Sequence, residues 1–130
     1  MLEFLHVNPS SGEPIYRQLT EQIIHLIVGG QLPPETVLPS VRQIAAHLAV
    51  NPMTVSRAIQ QLVDQEWLER RRGQPTRVAL NTPAATASPA ALLAPQLNEL
   101  IANAQQLGLS LAQLEQLLAH QWQLAHQDEK

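Results

Sequence analysis

The 130-residue chain contains no cysteine, which removes a disulfide framework, a thiolate zinc site and cysteine nucleophilic chemistry together. It holds only four aromatic residues, one Phe, one Tyr and two Trp, although 45% of the sequence is hydrophobic. A core must therefore come from Leu, Ile, Val and Ala, a mixture suited to packed helices. The segment MLEFLHVNPSSGEP has no basic region followed by an apolar run, and nowhere does the sequence approach the roughly 20 apolar residues that span a bilayer. A soluble, unexported, cytoplasmic protein without membrane contact is expected. Its length suits one ordinary domain, or one small domain with an appendage.

Positive charge is also scarce, eight basic against eleven acidic residues for a net charge of -3. DNA affinity comes largely from Lys and Arg neutralising phosphates, so this average argues against a nucleic-acid partner. The distribution argues otherwise. Residues 1–79 hold seven of the eight basic residues (Arg17, Arg42, Arg57, Arg70, Arg71, Arg72, Arg77) and seven acidic ones, whereas the remainder sets Lys130 against Glu99, Glu115, Asp128 and Glu129. What counts for a ligand is where those charges point.

The run PIYRQLTEQIIHLIVG (14–29) has Pro14 where a first helical turn tolerates a missing N–H, apolar residues at helical spacing, and Gly29 and Gly30 where helices stop. The next ten residues, QLPPETVLPS, carry three prolines and read as a loop. Ser40, followed three residues later by Gln43, makes a capping box, which predicts a second helix from about Val41 to Leu48 that buries Val41, Ile44, Ala45 and Leu48. After the break Ala49-Val50-Asn51, Asn51 as cap and Pro52 at the first helical position predict a third helix to about Glu66. Val55, Ala58, Ile59, Leu62 and Val63 form its apolar stripe. The stretch WLERRRGQPTRVAL reads as a small hairpin about Gly73-Gln74-Pro75. NTPAATASPA, low in charge and twice interrupted by proline, marks a boundary. Two further helices are predicted, Ala91–Leu107 closed by Gly108, and Leu111 to about His126 capped by Ser110 with Gln113.

A helix, a sharp break and a longer capped helix is the arrangement that puts the second helix in a DNA major groove. Its exposed N-terminal face would offer Met53, Thr54, Ser56 and Arg57 to base edges and phosphates, and Asn51 opens a helix start where a phosphate can be held. Arg42 would reach the duplex from the second helix. Arg70, Arg71, Arg72 and Arg77 lie on the hairpin, where Gly73 permits close approach to a sugar-phosphate. The fold class expected is mainly α: a winged helix-turn-helix of three helices and a β-hairpin wing over residues 1–80, a linker at 81–90, and a two-helix dimerisation region at 91–130. In that last part Leu93, Leu97, Leu100 and Ile101 form one stripe, and Leu111, Leu114, Leu117, Leu118 and Trp122 form another. Two helices this small cannot bury both stripes against each other alone, and a second copy is the expected partner.

The span Pro14 to Ala79 resembles the DNA-binding domain of the GntR family, carried by PIYRQL, GQLPPETVLPSVRQIAAHLAVN, TVSRAIQQL and LERRRG in matching order. LPSVR followed by VNPMTVSRA, with a short tail, is similar to its YtrA-type branch. The resemblance implies repression, less often activation, of a nearby operon through a palindromic operator, commonly an operon for an ABC transporter. It places the family's DNA contacts on Arg42, Asn51, Thr54, Arg57, Gly73 and Thr76. The wing departs from the usual pattern: Pro75 and Arg77 stand where a glycine and an aromatic are common, stiffening the turn and adding charge. A homodimer with recognition helices about one DNA turn apart, roughly 34 Å, is expected.

Blander readings compete with this one. Arg70–Arg72 could be a solvated charge run beside Glu66 and Glu69, and Met53 a gap-filling core residue. His6, His25, His47, His120 and His126 include no pair at helical ligand spacing, so neither a metal nor another cofactor is implied. No glycine-rich phosphate loop, nucleophile with base, or paired carboxylates supports an enzyme. The tail leucines could line an effector pocket, but pockets commonly need about 300 Å³ or more; dimer packing has first claim, and a small-molecule effector stays open. An adaptor that binds protein through the winged helix is the reading of a different class, distinguished by salt-dependent duplex binding.

Overall fold

The computed structural model describes residues 1–85 and 88–127. The chain divides into two compact units, Met1–Pro89 and Ala90–Lys130. In the first, α1 (Ile15–Val28), α2 (Val41–Leu48) and α3 (Pro52–Asp64) precede β1 (Leu68–Glu69) and β2 (Arg77–Val78). The second holds α4, which begins at the unit boundary (Pro89–Gln106), and α5 (Leu111–Gln127). Positions 86 and 87 of the expected linker, and 128–130 of the tail, lie outside the described residues.

Local chemistry explains the helix limits. Pro14 caps α1 from an extended conformation instead of occupying its first turn, and its carbonyl accepts from Arg17 and Gln18. The Gln43 amide donates to Ser40 Oγ (3.1 Å) while the Ser40 amide donates to Gln43 Oε1 (2.8 Å), so α2 starts with two satisfied donors. Ala49 ends α2 in the left-handed region at φ 56°, unusual for a residue with a Cβ. Three residues after α2, Asn51 Oδ1 accepts from the Met53 amide (2.8 Å) and Pro52 opens α3. α3 stops at Asp64, slightly short of expectation, because Glu66 turns left-handed at φ 69° and the Trp67 amide reaches back to Leu62 O.

These helices enclose one core. Leu19 and Ile23 of α1, Ile44 and Ala45 of α2, and Val55, Ala58, Ile59 and Leu62 of α3 are buried with Trp67, Leu68 and Val78. Each fully buried aliphatic side chain contributes about 1.5–3 kcal/mol. Val41, Leu48 and Val63, expected in the core, are half-buried at its rim. The strands pair antiparallel with Leu68 opposite Val78 and Glu69 opposite Arg77. The proline-rich segment before α2 is more than a loop: Glu35 N donates to Val78 O (2.9 Å), Val78 N to Thr36 O (2.8 Å) and Leu38 N to Thr76 O (2.9 Å), so it flanks β2 as a third edge.

The N-terminal arm is fastened by a residue that hydrophobic periodicity does not single out. Gln18, buried in α1, accepts from Asn8 N (2.8 Å) and donates to Asn8 O and Glu13 O (both 3.0 Å). Leu5 of the arm is buried in the core, and the adjoining His6 is pinned by Gln22, whose Oε1 accepts from the His6 amide (3.1 Å). In the second unit Ser110 and Gln113 repeat the capping box of α2 (2.8 and 3.2 Å). Gly108 takes the left-handed φ of 76° that closes α4.

Candidate nucleic-acid interface

The exposed side of α3 begins at its cap. Asn51, Met53, Ser56 and Arg57 are exposed and Thr54 is half-exposed, while the opposite stripe is buried. Met53, 78% exposed, is no part of the core. The first-turn amides of α3 are already engaged: Pro52 has no N–H, Asn51 Oδ1 accepts from Met53, and Asn51 O accepts from Thr54 (3.0 Å) and Val55 (3.4 Å), so a phosphate here would meet side chains and not the free helix amides expected from the sequence. Arg57 does not simply extend into solvent: its guanidinium carbon lies 3.9 Å from the centroid of the Tyr16 ring of α1.

Each arginine of the wing has its own environment. Arg70 Nη1 donates to Gln60 Oε1 (2.9 Å), and Gln60 Nε2 donates to Asp64 (2.8 Å), which ties the wing root to α3. Arg71 Nη2 lies 3.0 Å from the buried Glu69 Oε1 without an aligned hydrogen bond, and its side chain stays 52% exposed. Arg77 is half-buried; its Nη2 donates to Gln74 Oε1 (2.6 Å) while its buried Nε has no hydrogen-bond partner among the described residues. Arg72 and Arg42 are exposed, and neither forms a hydrogen bond or ion pair with the described residues. Gly73 turns the hairpin at φ 75°, with open space where a Cβ would stand, a backbone geometry that glycine adopts without strain.

Between the start of α2 and the wing runs an open groove of about 840 Å³, lined by Ser40, Gln43, Arg70, Arg71, Arg72 and Thr76 among others. Arg71, Arg72 and Thr76 of the predicted site thus share one concavity with the α2 cap. Arg42, Asn51, Met53, Thr54, Ser56, Arg57, Gly73 and Arg77 do not line it. Tyr16 and Gln60 carry no site signal in the sequence, because their contacts with Arg57 and Arg70 join residues far apart along the chain, and Gln43 is legible there only as a helix cap. Among the described residues no cluster of His, Asp or Glu could hold a metal ion, and no helix is long and apolar enough to cross a membrane.

The second unit is apolar on its surface. Leu93, Leu97, Leu100, Ile101, Leu111, Leu117, Leu118 and Trp122 are all exposed, Leu114 is half-exposed, and Ala104 is the buried residue of α4. A shallow hollow of about 370 Å³ on α5 is lined by Glu115, Leu118, Ala119, Trp122 and Gln123.

The family model described as bacterial regulatory proteins, gntR family, matches residues 15–78, from the first turn of α1 through β2. The HTH-type transcriptional repressor YtrA of Bacillus subtilis is 32% identical over 91% of this chain and 88% of its own length. Among solved structures, YtrA from Sulfolobus acidocaldarius, a GntR-family transcription factor, is 30% identical with a TM-score of 0.58, covering 79% of this chain and 98% of that one. The DNA-binding domain of AraR in complex with operator ORX1 is 31% identical with a TM-score of 0.51, covering 58% of this chain and 93% of that one. With the winged helix-turn-helix geometry above, these matches make the chain a member of the GntR family of bacterial regulatory proteins, DNA-binding transcription regulators and not enzymes, similar to the YtrA-type regulators.

Proposed function

We propose that the protein is a repressor that binds a palindromic operator as a homodimer. The observation that carries this reading is the surface of the first unit. An acidic chain concentrates six of its eight basic residues on α2, α3 and the wing, around an exposed, polar, Asn-capped helix start. In this reading Asn51, Met53, Thr54, Ser56 and Arg57 meet bases and the adjoining phosphates. Arg42, Arg71, Arg72, Gly73, Thr76 and Arg77 hold the backbone on either side. Repression is supported by the YtrA relative, which is named a repressor and is similar along most of both chains. An operator on the chromosome places the activity in the cytoplasm.

The domains divide in this reading as a DNA-binding part at 1–80, a linker at 81–90 whose last two residues already belong to α4, and a dimerisation part at 91–130. Leucines exposed along α4 and α5 favour pairing with a second copy, because an uncovered apolar surface of this extent is costly in water. Two-fold pairing would present two recognition helices to a two-fold site. The shallow hollow on α5 is apolar and would be covered by such pairing, so the dimer competes with any small-molecule effector for it.

The test is duplex binding across a salt series. A repressor should lose affinity steeply, with a log–log slope of about -0.9 for each phosphate neutralised. An absence of duplex binding even at low salt would favour the protein-binding adaptor and reject the reading.

A further inference from the structure

Arg57 is the only basic residue on α3, and the described residues offer its N–H groups no hydrogen bond or ion pair. Its one partner is the ring of Tyr16, 3.9 Å from the guanidinium carbon. Tyr16 is the second residue of α1, half-buried against the core, so the ring is anchored while the arginine is exposed. A cation over an aromatic face is held by the ring quadrupole, and a guanidinium so held keeps its in-plane donors for an outside acceptor.

From this contact we infer that Tyr16 is a positioning residue: it draws Arg57 to the α1 side of the recognition helix, where it clamps an operator phosphate instead of reading a base. The inference rests on the DNA-binding reading above and sharpens the role of one residue within it. A base-reading arginine must extend from the helix start toward the groove floor, whereas α1 is not the helix that enters the groove. A guanidinium drawn toward α1 lies toward the rim, where the backbone runs. The planar fork suits two phosphate oxygens at once. Arg57 therefore supplies affinity and salt dependence, while base choice is left to Asn51, Met53, Thr54 and Ser56.

The experiment uses the full chain, with Arg57→Ala, Tyr16→Phe, Tyr16→Leu and the double variant Tyr16→Leu/Arg57→Ala. Binding to duplex DNA is measured over a salt series, and base preference by selection from random duplexes. R57A should weaken binding to all duplexes alike, on the order of tenfold, lower the log–log salt slope by about 0.9 for each Arg57 engaged, and leave the selected sequence unchanged. Y16F, which keeps the ring, should match the unsubstituted chain. Y16L should lose about two- to fivefold, and the double variant should bind no worse than R57A alone.

The inference is overturned if R57A relaxes one base position while the salt slope holds. It is also overturned if Y16L weakens binding equally with and without Arg57, which marks a packing defect; thermal unfolding of Y16L identifies such a defect directly. Failure of the unsubstituted chain to bind any duplex would instead reject the regulator reading on which the inference stands.

Discussion

If a second copy covers the apolar faces of α4 and α5, truncating two side chains there should dissociate the dimer while leaving each chain folded. Leu118 and Trp122 line the hollow on α5 and are 55% and 63% exposed. Full burial of such a side chain contributes about 1.5–3 kcal/mol, so covering the exposed half recovers about 1 kcal/mol for Leu118 and about 1.5 kcal/mol for Trp122. Two-fold symmetry doubles this, and the variant Leu118→Ala/Trp122→Ala should cost about 5 kcal/mol per dimer. At about 1.4 kcal/mol for each factor of ten, the dissociation constant rises about 1,000- to 10,000-fold. Alanine is the best helix former, so circular dichroism should show α5 retained. Sedimentation equilibrium over nanomolar to millimolar concentration reads the constant directly. An unchanged constant would rule out this interface, as would an unsubstituted chain that stays monomeric throughout that range.

Three further outcomes follow from the fold. Ser40→Ala removes the acceptor for the Gln43 amide at the start of α2; a lost cap costs about 1 kcal/mol, which in a unit this small lowers the melting temperature by about 4–8 °C in a calorimetric scan. Gln18→Ala leaves Asn8 and Glu13 without their side-chain partner, and should cost about 1–3 kcal/mol and speed hydrogen exchange selectively at residues 8–13. Met53→Ala should make binding insensitive to replacing thymine by uracil in a half-site, whereas the unsubstituted chain loses affinity on that change, if the exposed Met53 side chain meets a thymine methyl. An unsubstituted chain indifferent to the methyl group would remove Met53 from base recognition.

Which features were legible in the sequence follows from how far apart the interacting residues lie. The bounds of α2 and the start of α3 rest on Ser40 with Gln43 and on Asn51 with Pro52, contacts made within one helical turn, and they stand where the capping pattern put them. The buried stripe Val55, Ala58, Ile59 and Leu62 is likewise a local period. The segment around Glu35–Leu38 read as loop because its prolines are local, whereas its partners Thr76 and Val78 lie far along the chain. Gln18 has no apolar signal, and its partners sit in an irregular arm. The positive residues of the site were legible as a cluster, but their individual states were not. Nothing local separates Arg70, engaged with Gln60, from Arg72, which stands free of hydrogen bonds to the described residues, or foretells that Arg57 leans on Tyr16.

Two copies of the α2–α3 surface reading one duplex should leave their mark on the sequences that the 130-residue chain selects from random DNA. The expected result is an enriched inverted repeat with half-site centres about 10 base pairs, or a multiple of that, apart. Enrichment of a single unrepeated site, or of no sequence at all, would overturn the reading of a dimer on a two-fold operator.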